Sequence, residues 1–128
     1  MAAKPIRSSV GRAAGLGSAR EGVAQWWAER AFAVALIPLT LWLAVSLIKH
    51  SGSDHASVIA WLRSPWATLL VVLLLISLFS HLALGLRVII EDYIHSGAKF
   101  AVLLVARFLC FSLCIAGILA TLRIAMIA

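Results

Sequence analysis

Between Ala31 and Ile48 the chain carries eighteen consecutive residues without a charge. Two more apolar runs follow, from about Trp66 to Glu91 and from about Phe100 to Met126. A segment inside hydrocarbon finds no water for its peptide groups, so it must pair them internally, and a helix does this. At 1.5 Å per residue the first run reaches about 27 Å, just enough to cross the hydrocarbon core. The three runs therefore predict an all-α integral membrane protein with three transmembrane helices, over about 31–48, 66–91 and 100–126. Residues 30–128 form this three-helix unit, and residues 1–29 precede it as a polar N-terminal segment.

Composition supports the same class. Apolar residues make up 63% of the 128 and charged residues 12%, against about 45–50% and 25% in soluble domains. An ordinary soluble enzyme, a disordered tail and a disulfide-rich secreted module are excluded. The formal net charge is +6, but the basic residues are spread along the chain, several at helix ends. That pattern fits anionic lipid headgroups and membrane orientation rather than nucleic acid. Cys110 and Cys114 lie four residues apart on one expected helix. They read as small packing residues without metal-ligand spacing.

Gly11, Gly15, Gly17 and Gly22 argue against a continuous helix before about Gly22. The Arg-rich, acid-poor start resembles an organelle transit peptide in composition, but no amphipathic helix leads it. Trp26 and Trp27 mark a membrane interface, and Pro38 should bend the first span. The loop from Lys49 to Pro65 contains VIAWLR, which predicts a short interfacial helix. A turn from Asp92 to Lys99 joins the second and third spans. Basic residues concentrate in the N-terminal segment (Lys4, Arg7, Arg12, Arg20) and around the second turn. The positive-inside bias then places the N-terminus and that turn in the cytoplasm and the C-terminus in the periplasm.

His81 is the most informative position. It lies eleven residues before Asp92, about 16 Å along a helix and so well inside the bilayer. An ionisable group at that depth faces protein, cofactor or water. An imidazole there can ligate haem iron or another metal. Alternatively it hydrogen-bonds a serine or a carbonyl. Gly85 shares its helical face at i+4, and the missing side chain leaves room for a flat macrocycle or for another helix. No second histidine lies at membrane depth, because His50, His55 and His95 fall in loops. If His81 ligates a six-coordinate haem, the second ligand must come from another chain. Arg87 and Glu91 can pair at i, i+4. Arg87, Arg30 and Arg107 either snorkel to the surface or hold an anionic group. Tyr93 can donate a hydrogen bond to a ligand carbonyl, and Asp92 beside it can relay a proton; the alternative is an interfacial phenol beside a solvated acid.

The run from His81 to Tyr93 has the form His-x3-Gly-x6-Asp-Tyr, across the end of a second span in a three-span chain. It resembles the hydrophobic membrane anchor subunit of succinate dehydrogenase, the succinate:quinone oxidoreductase. The segment GLGSAREGVAQWWAERAFAVALIPLTLW is similar to the alphaproteobacterial form. The resemblance runs from about Gly15 to the end of the third span. It implies His81 as an axial ligand of haem b, shared with a cytochrome b subunit. It implies Tyr93 and Asp92 as ubiquinone contacts and Arg30 as a contact near the haem propionates. Arg87 falls where members of the family vary and takes no role from it. An iron–sulfur subunit and a flavoprotein subunit are the further implied partners, since the chain has no dinucleotide fingerprint and no iron–sulfur cysteine pattern. The implied role is a non-catalytic-core subunit in the bacterial inner membrane, with the mitochondrial inner membrane as the alternative. Competing readings are the anchor of a fumarate reductase, a haem-free structural or assembly protein, and a transporter subunit. The last would need a polar stripe across a whole span, which these spans lack.

Overall fold

The structure, a computed structural model, describes residues 17–127. Lys4, Arg7 and Arg12, and with them most of the expected polar segment 1–29, lie outside the described residues. Four helices account for nearly all of the rest: α1 (Gly17–Lys49), α2 (His55–Leu62), α3 (Pro65–Tyr93) and α4 (Ala98–Met126). There is no strand among the described residues. Three helices are long and apolar enough to cross a membrane: Gly22–Lys49, Pro65–Tyr93 and Ala98–Met126. The short helix read in VIAWLR is present as α2.

The helix begins earlier than the glycines predict. α1 includes both Gly17 and Gly22. Each glycine costs about 1 kcal/mol in a helix interior, but nucleation is the expensive step, and every residue added to a formed helix gains a hydrogen bond. The long span that follows supplies that nucleus. Pro38 lies inside α1 and removes the amide that would bond the Val34 carbonyl. Just beyond it, the Thr40 hydroxyl donates to the carbonyls of Leu36 at 2.6 Å and Ile37 at 3.1 Å.

Local chemistry sets the turns. After α1, the amide of Ser53 donates to the His50 carbonyl at 3.0 Å, with Gly52 at φ +85°. That left-handed conformation favours glycine at the third position of such a turn. Asp54 caps α2 by accepting the Ser57 amide at 3.3 Å and the Ser57 hydroxyl. These two bonds, the hydroxyl's first, hold its carboxyl below the usual carboxylate range. The cap is therefore complete with the carboxylate charged and is lost as pH falls through that lowered value. Ser64 caps α3, accepting the Ala67 amide at 3.3 Å, with Pro65 in the first turn, where a missing amide costs nothing.

α3 is the central helix. α1 packs against it, α4 packs against it along its length, and α1 and α4 do not approach each other. Small side chains let the helices come close. Ala67 and Ser77 on α3, Ser46 on α1 and Cys110 on α4 are buried. The Cys114 thiol lies 3.7 Å from the Leu75 carbonyl. A Cβ built at Gly117 would stand 3.1 Å and 3.2 Å from the Leu75 methyls. Without a hydrophobic drive between helices in lipid, this close approach is what binds them.

α2 folds across one end of the bundle against α3 and α4. The Trp61 ring stacks at 4.7 Å on His50 and 5.9 Å on Trp42, which ties α2 to the end of α1. Arg63 then donates to the Ile124 carbonyl in the last turn of α4 at 3.3 Å, satisfying an orphan acceptor there.

The Gly117–Leu75 contact sets a size limit. Gly117→Val should destabilise the purified protein by about 1–3 kcal/mol through overpacking, read as a lower midpoint in detergent denaturation. Gly117→Ala should lie within about 1 kcal/mol of the parent, because the Leu75 methyls can yield a few tenths of an ångström while helix propensity improves.

Candidate functional site

The chemistry-bearing residues of α3 lie on two different faces. His81, Gly85, Val88 and Asp92 follow an i, i+4, i+7, i+11 register, which aligns them in one stripe. All four are exposed. Nothing lies within 4 Å of the Cβ position of Gly85. An imidazole at membrane depth and an open patch one turn below it thus point away from α1 and α4. Among the described residues His81 forms no side-chain hydrogen bond, and the serine or carbonyl partner considered from the sequence is not found there. Among those residues, too, no three His, Cys, Asp or Glu side chains converge as a metal site; His81 offers a single ligand.

Tyr93 ends α3 and is 81% exposed. It stands a further 100° around the helix from Asp92, so the two side chains leave the helix in different directions. Arg30 is exposed on α1, its guanidinium 5.4 Å from the centre of the Trp26 ring. That cation–π contact lies at i, i−4 and holds the charge beside the helix. Trp26 meets Trp27 edge to face at 5.1 Å.

The other face of α3 opens into a cleft of about 500 Å³. Ala28 and Phe32 of α1 form one wall, Leu104 and Arg107 of α4 the other, and Ser80, Arg87 and Glu91 of α3 part of the floor. It exists because α1 and α4 flank α3 without meeting. Arg87 donates to Glu91 at 3.0 Å across a half-exposed pair. Neither His81, Asp92, Tyr93 nor Arg30 lines the cleft. The shared face of Ser80, Arg87 and Glu91 is legible from their i, i+7, i+11 spacing. That Arg107 joins them depends on the register between α3 and α4, for which the sequence of α4 alone carries no signal.

Because the Gly85 patch is open, Gly85→Leu should cost the isolated chain in detergent no more than about 0.5 kcal/mol and should gain up to about 1 kcal/mol of helix propensity. A clearly larger loss in the assembled protein, measured by the same unfolding, would locate an outside neighbour against this turn of α3.

Comparison with known proteins bears on this arrangement. The family model described as succinate dehydrogenase/fumarate reductase transmembrane subunit matches residues 4–114. A succinate dehydrogenase hydrophobic membrane anchor subunit of Paracoccus denitrificans is 33% identical over 92 residues, 72% of this chain and 71% of the relative. Its counterpart in Rickettsia bellii (strain RML369-C) is 32% identical over 89 residues, 70% of this chain and 71% of the relative. The one in Rickettsia conorii (strain ATCC VR-613 / Malish 7) is 31% identical over 91 residues, covering 70% and 71%. No solved structure matches significantly. The helical architecture, the three apolar spans and these matches agree: the chain belongs to the succinate dehydrogenase/fumarate reductase transmembrane subunit family.

Proposed function

We propose that this chain is the membrane anchor subunit of a bacterial succinate dehydrogenase complex, contributing His81 to haem b and Tyr93 and Asp92 to a ubiquinone site. The observation that carries the reading is the outward His81–Gly85 patch: an exposed imidazole with open space one turn away. An isolated imidazole facing hydrocarbon is costly. The cost disappears when a sister chain covers that face and both chains ligate one metal.

The residues present fit the group. His81 would offer a ring-nitrogen lone pair to the iron, and Gly85 leaves open space beside it. A second ligand would come from a cytochrome b subunit. Haem b, when bound, supplies a one-electron carrier within the membrane. Arg30 would meet an anionic propionate, its charge already braced on Trp26.

Tyr93 and Asp92 act at the end of the same helix. The phenol donates a hydrogen bond to a quinone carbonyl and orients it. Asp92 relays protons through its carboxyl oxygens near the aqueous surface, where the acceptor needs protons as it gains electrons. This end faces the cytoplasm in the proposed orientation, with the C-terminus in the periplasm of the inner membrane. An iron–sulfur subunit and a flavoprotein dock on this side. Succinate is oxidised on the flavoprotein, and no succinate-oxidising site lies on this chain.

His81→Ala in the intact complex should reduce haem content or convert the low-spin spectrum, while succinate oxidation by a soluble artificial acceptor persists. An unchanged haem spectrum would remove His81 from the coordination sphere. Tyr93→Phe deletes one hydrogen bond worth about 1 kcal/mol, so quinone reduction should fall about fivefold with artificial-acceptor activity intact. Equal loss of both activities would indicate failed assembly instead.

A further inference from the structure

The cleft between α1 and α4 takes no part in the reading above. Its floor lies on the α3 face that carries Arg87, six residues and so about 120° around the helix from His81. It combines apolar walls with cationic groups at one end of the bundle. Phe32 and Leu104 supply hydrocarbon contacts, and Arg87, Glu91 and Arg107 the polar end.

The three charged groups meet at one depth. α3 is 29 residues long, about 43 Å, which matches a bilayer with its headgroup layers. Arg87 lies six residues before the end of α3 and Arg107 nine residues after the start of α4. Helical side chains lean toward the N-terminus of their own helix. Arg87 therefore leans inward and Arg107 outward, and the two approach one level near the boundary of headgroups and hydrocarbon. Glu91 neutralises Arg87 at 3.0 Å. Arg107 has no carboxylate within 4 Å among the described residues. One net positive charge remains above an apolar cleft between two helices whose Cα atoms stay more than 8 Å apart.

We propose that this cleft holds an acidic phospholipid, its phosphate on the Arg107 guanidinium and an acyl chain along Phe32 and Leu104. A phosphate oxygen pair matches the planar guanidinium fork better than a quinone carbonyl does, and a headgroup of net negative charge neutralises the unpaired guanidinium, whereas a zwitterionic headgroup brings its own ammonium with its phosphate and leaves the site net positive. The Arg87–Glu91 pair positions the site: Glu91 draws Arg87 aside, so a single charge faces the phosphate. The proposal depends on the chain spanning a membrane and not on haem or quinone binding.

The test uses the intact complex purified in mild detergent, with bound lipids counted by native mass spectrometry. The parent complex should retain phosphatidylglycerol or cardiolipin, and Arg107→Gln should lower that occupancy about tenfold. Haem content and artificial-acceptor activity should not change. Arg123→Gln, at the opposite end of α4, should retain the lipid. Leu104→Trp fills the cleft while keeping every charge, and should also expel it; this variant guards against misfolding of the arginine variant. Excess inorganic phosphate should not displace the lipid, because the acyl chain supplies part of the binding. Equal lipid retention in parent and Arg107→Gln would overturn the proposal. So would displacement by phosphate alone. A photo-crosslinker at Leu104 that captures a partner polypeptide rather than lipid would assign the cleft to a protein helix and overturn it as well.

Discussion

Inside hydrocarbon, a peptide group left without a partner costs several kcal/mol, and this single constraint shapes the rest of the molecule. It commits each apolar run to helix and leaves side chains as the only carriers of chemistry. It also removes the usual reason for helices to associate, since lipid is as apolar as leucine. The chain accordingly has little interior. Among the described residues the buried ones are Ser46, Ala67, Leu74, Ser77, Ile90 and Cys110, mostly small. Close approach at these positions, at Gly117 and at the capped turns holds the helices together. Many large apolar side chains of all three spans are exposed instead, toward lipid or other chains.

This arrangement gives α3 two separate faces. One stripe, from His81 through Gly85 to Asp92, is presented to the outside. Another, from Ser80 through Arg87 to Glu91, is roofed partly by α1 and α4. The two lie about 120° apart on one rigid helix. A ligand on the first does not compete for side chains with a ligand on the second, and both are fixed at set depths by the same backbone. A loop could not hold them so, because irregular backbone at membrane depth needs its own partners.

The spans were legible because hydrophobicity along a membrane chain is strong and local. Their ends were less so. α1 takes in Gly17 and Gly22, where glycine propensity argues for irregular chain, because an adjoining long helix offsets a local cost. α4 starts at Ala98, two residues before Phe100, with Gly97 just outside it as the N-cap. At the site, the His-x3-Gly spacing already placed both residues on one face. Their exposure was not legible, because it depends on which side of α3 its neighbours choose. The cleft was hidden for the same reason. Arg87 and Arg107 stand far apart in sequence, and only the packing of α4 on α3 brings them to one wall and floor.

The two ends of the bundle differ in a way that concentrates function. At one end α2 bridges all three spans, through the Trp42–Trp61–His50 stack toward α1 and the Arg63–Ile124 bond toward α4. Aromatic rings and a satisfied terminal carbonyl close that end. At the other, no segment among the described residues bridges α1 and α4, so the helices flank α3 and leave it accessible. Every candidate functional side chain in the described residues, from Arg30 to Arg107, belongs to the open half or to its margin near mid-span. A closed end fixes the relative positions of the helices without occupying the faces that partners need. The open end leaves uncovered the faces on which the proposed haem, quinone and lipid sites lie.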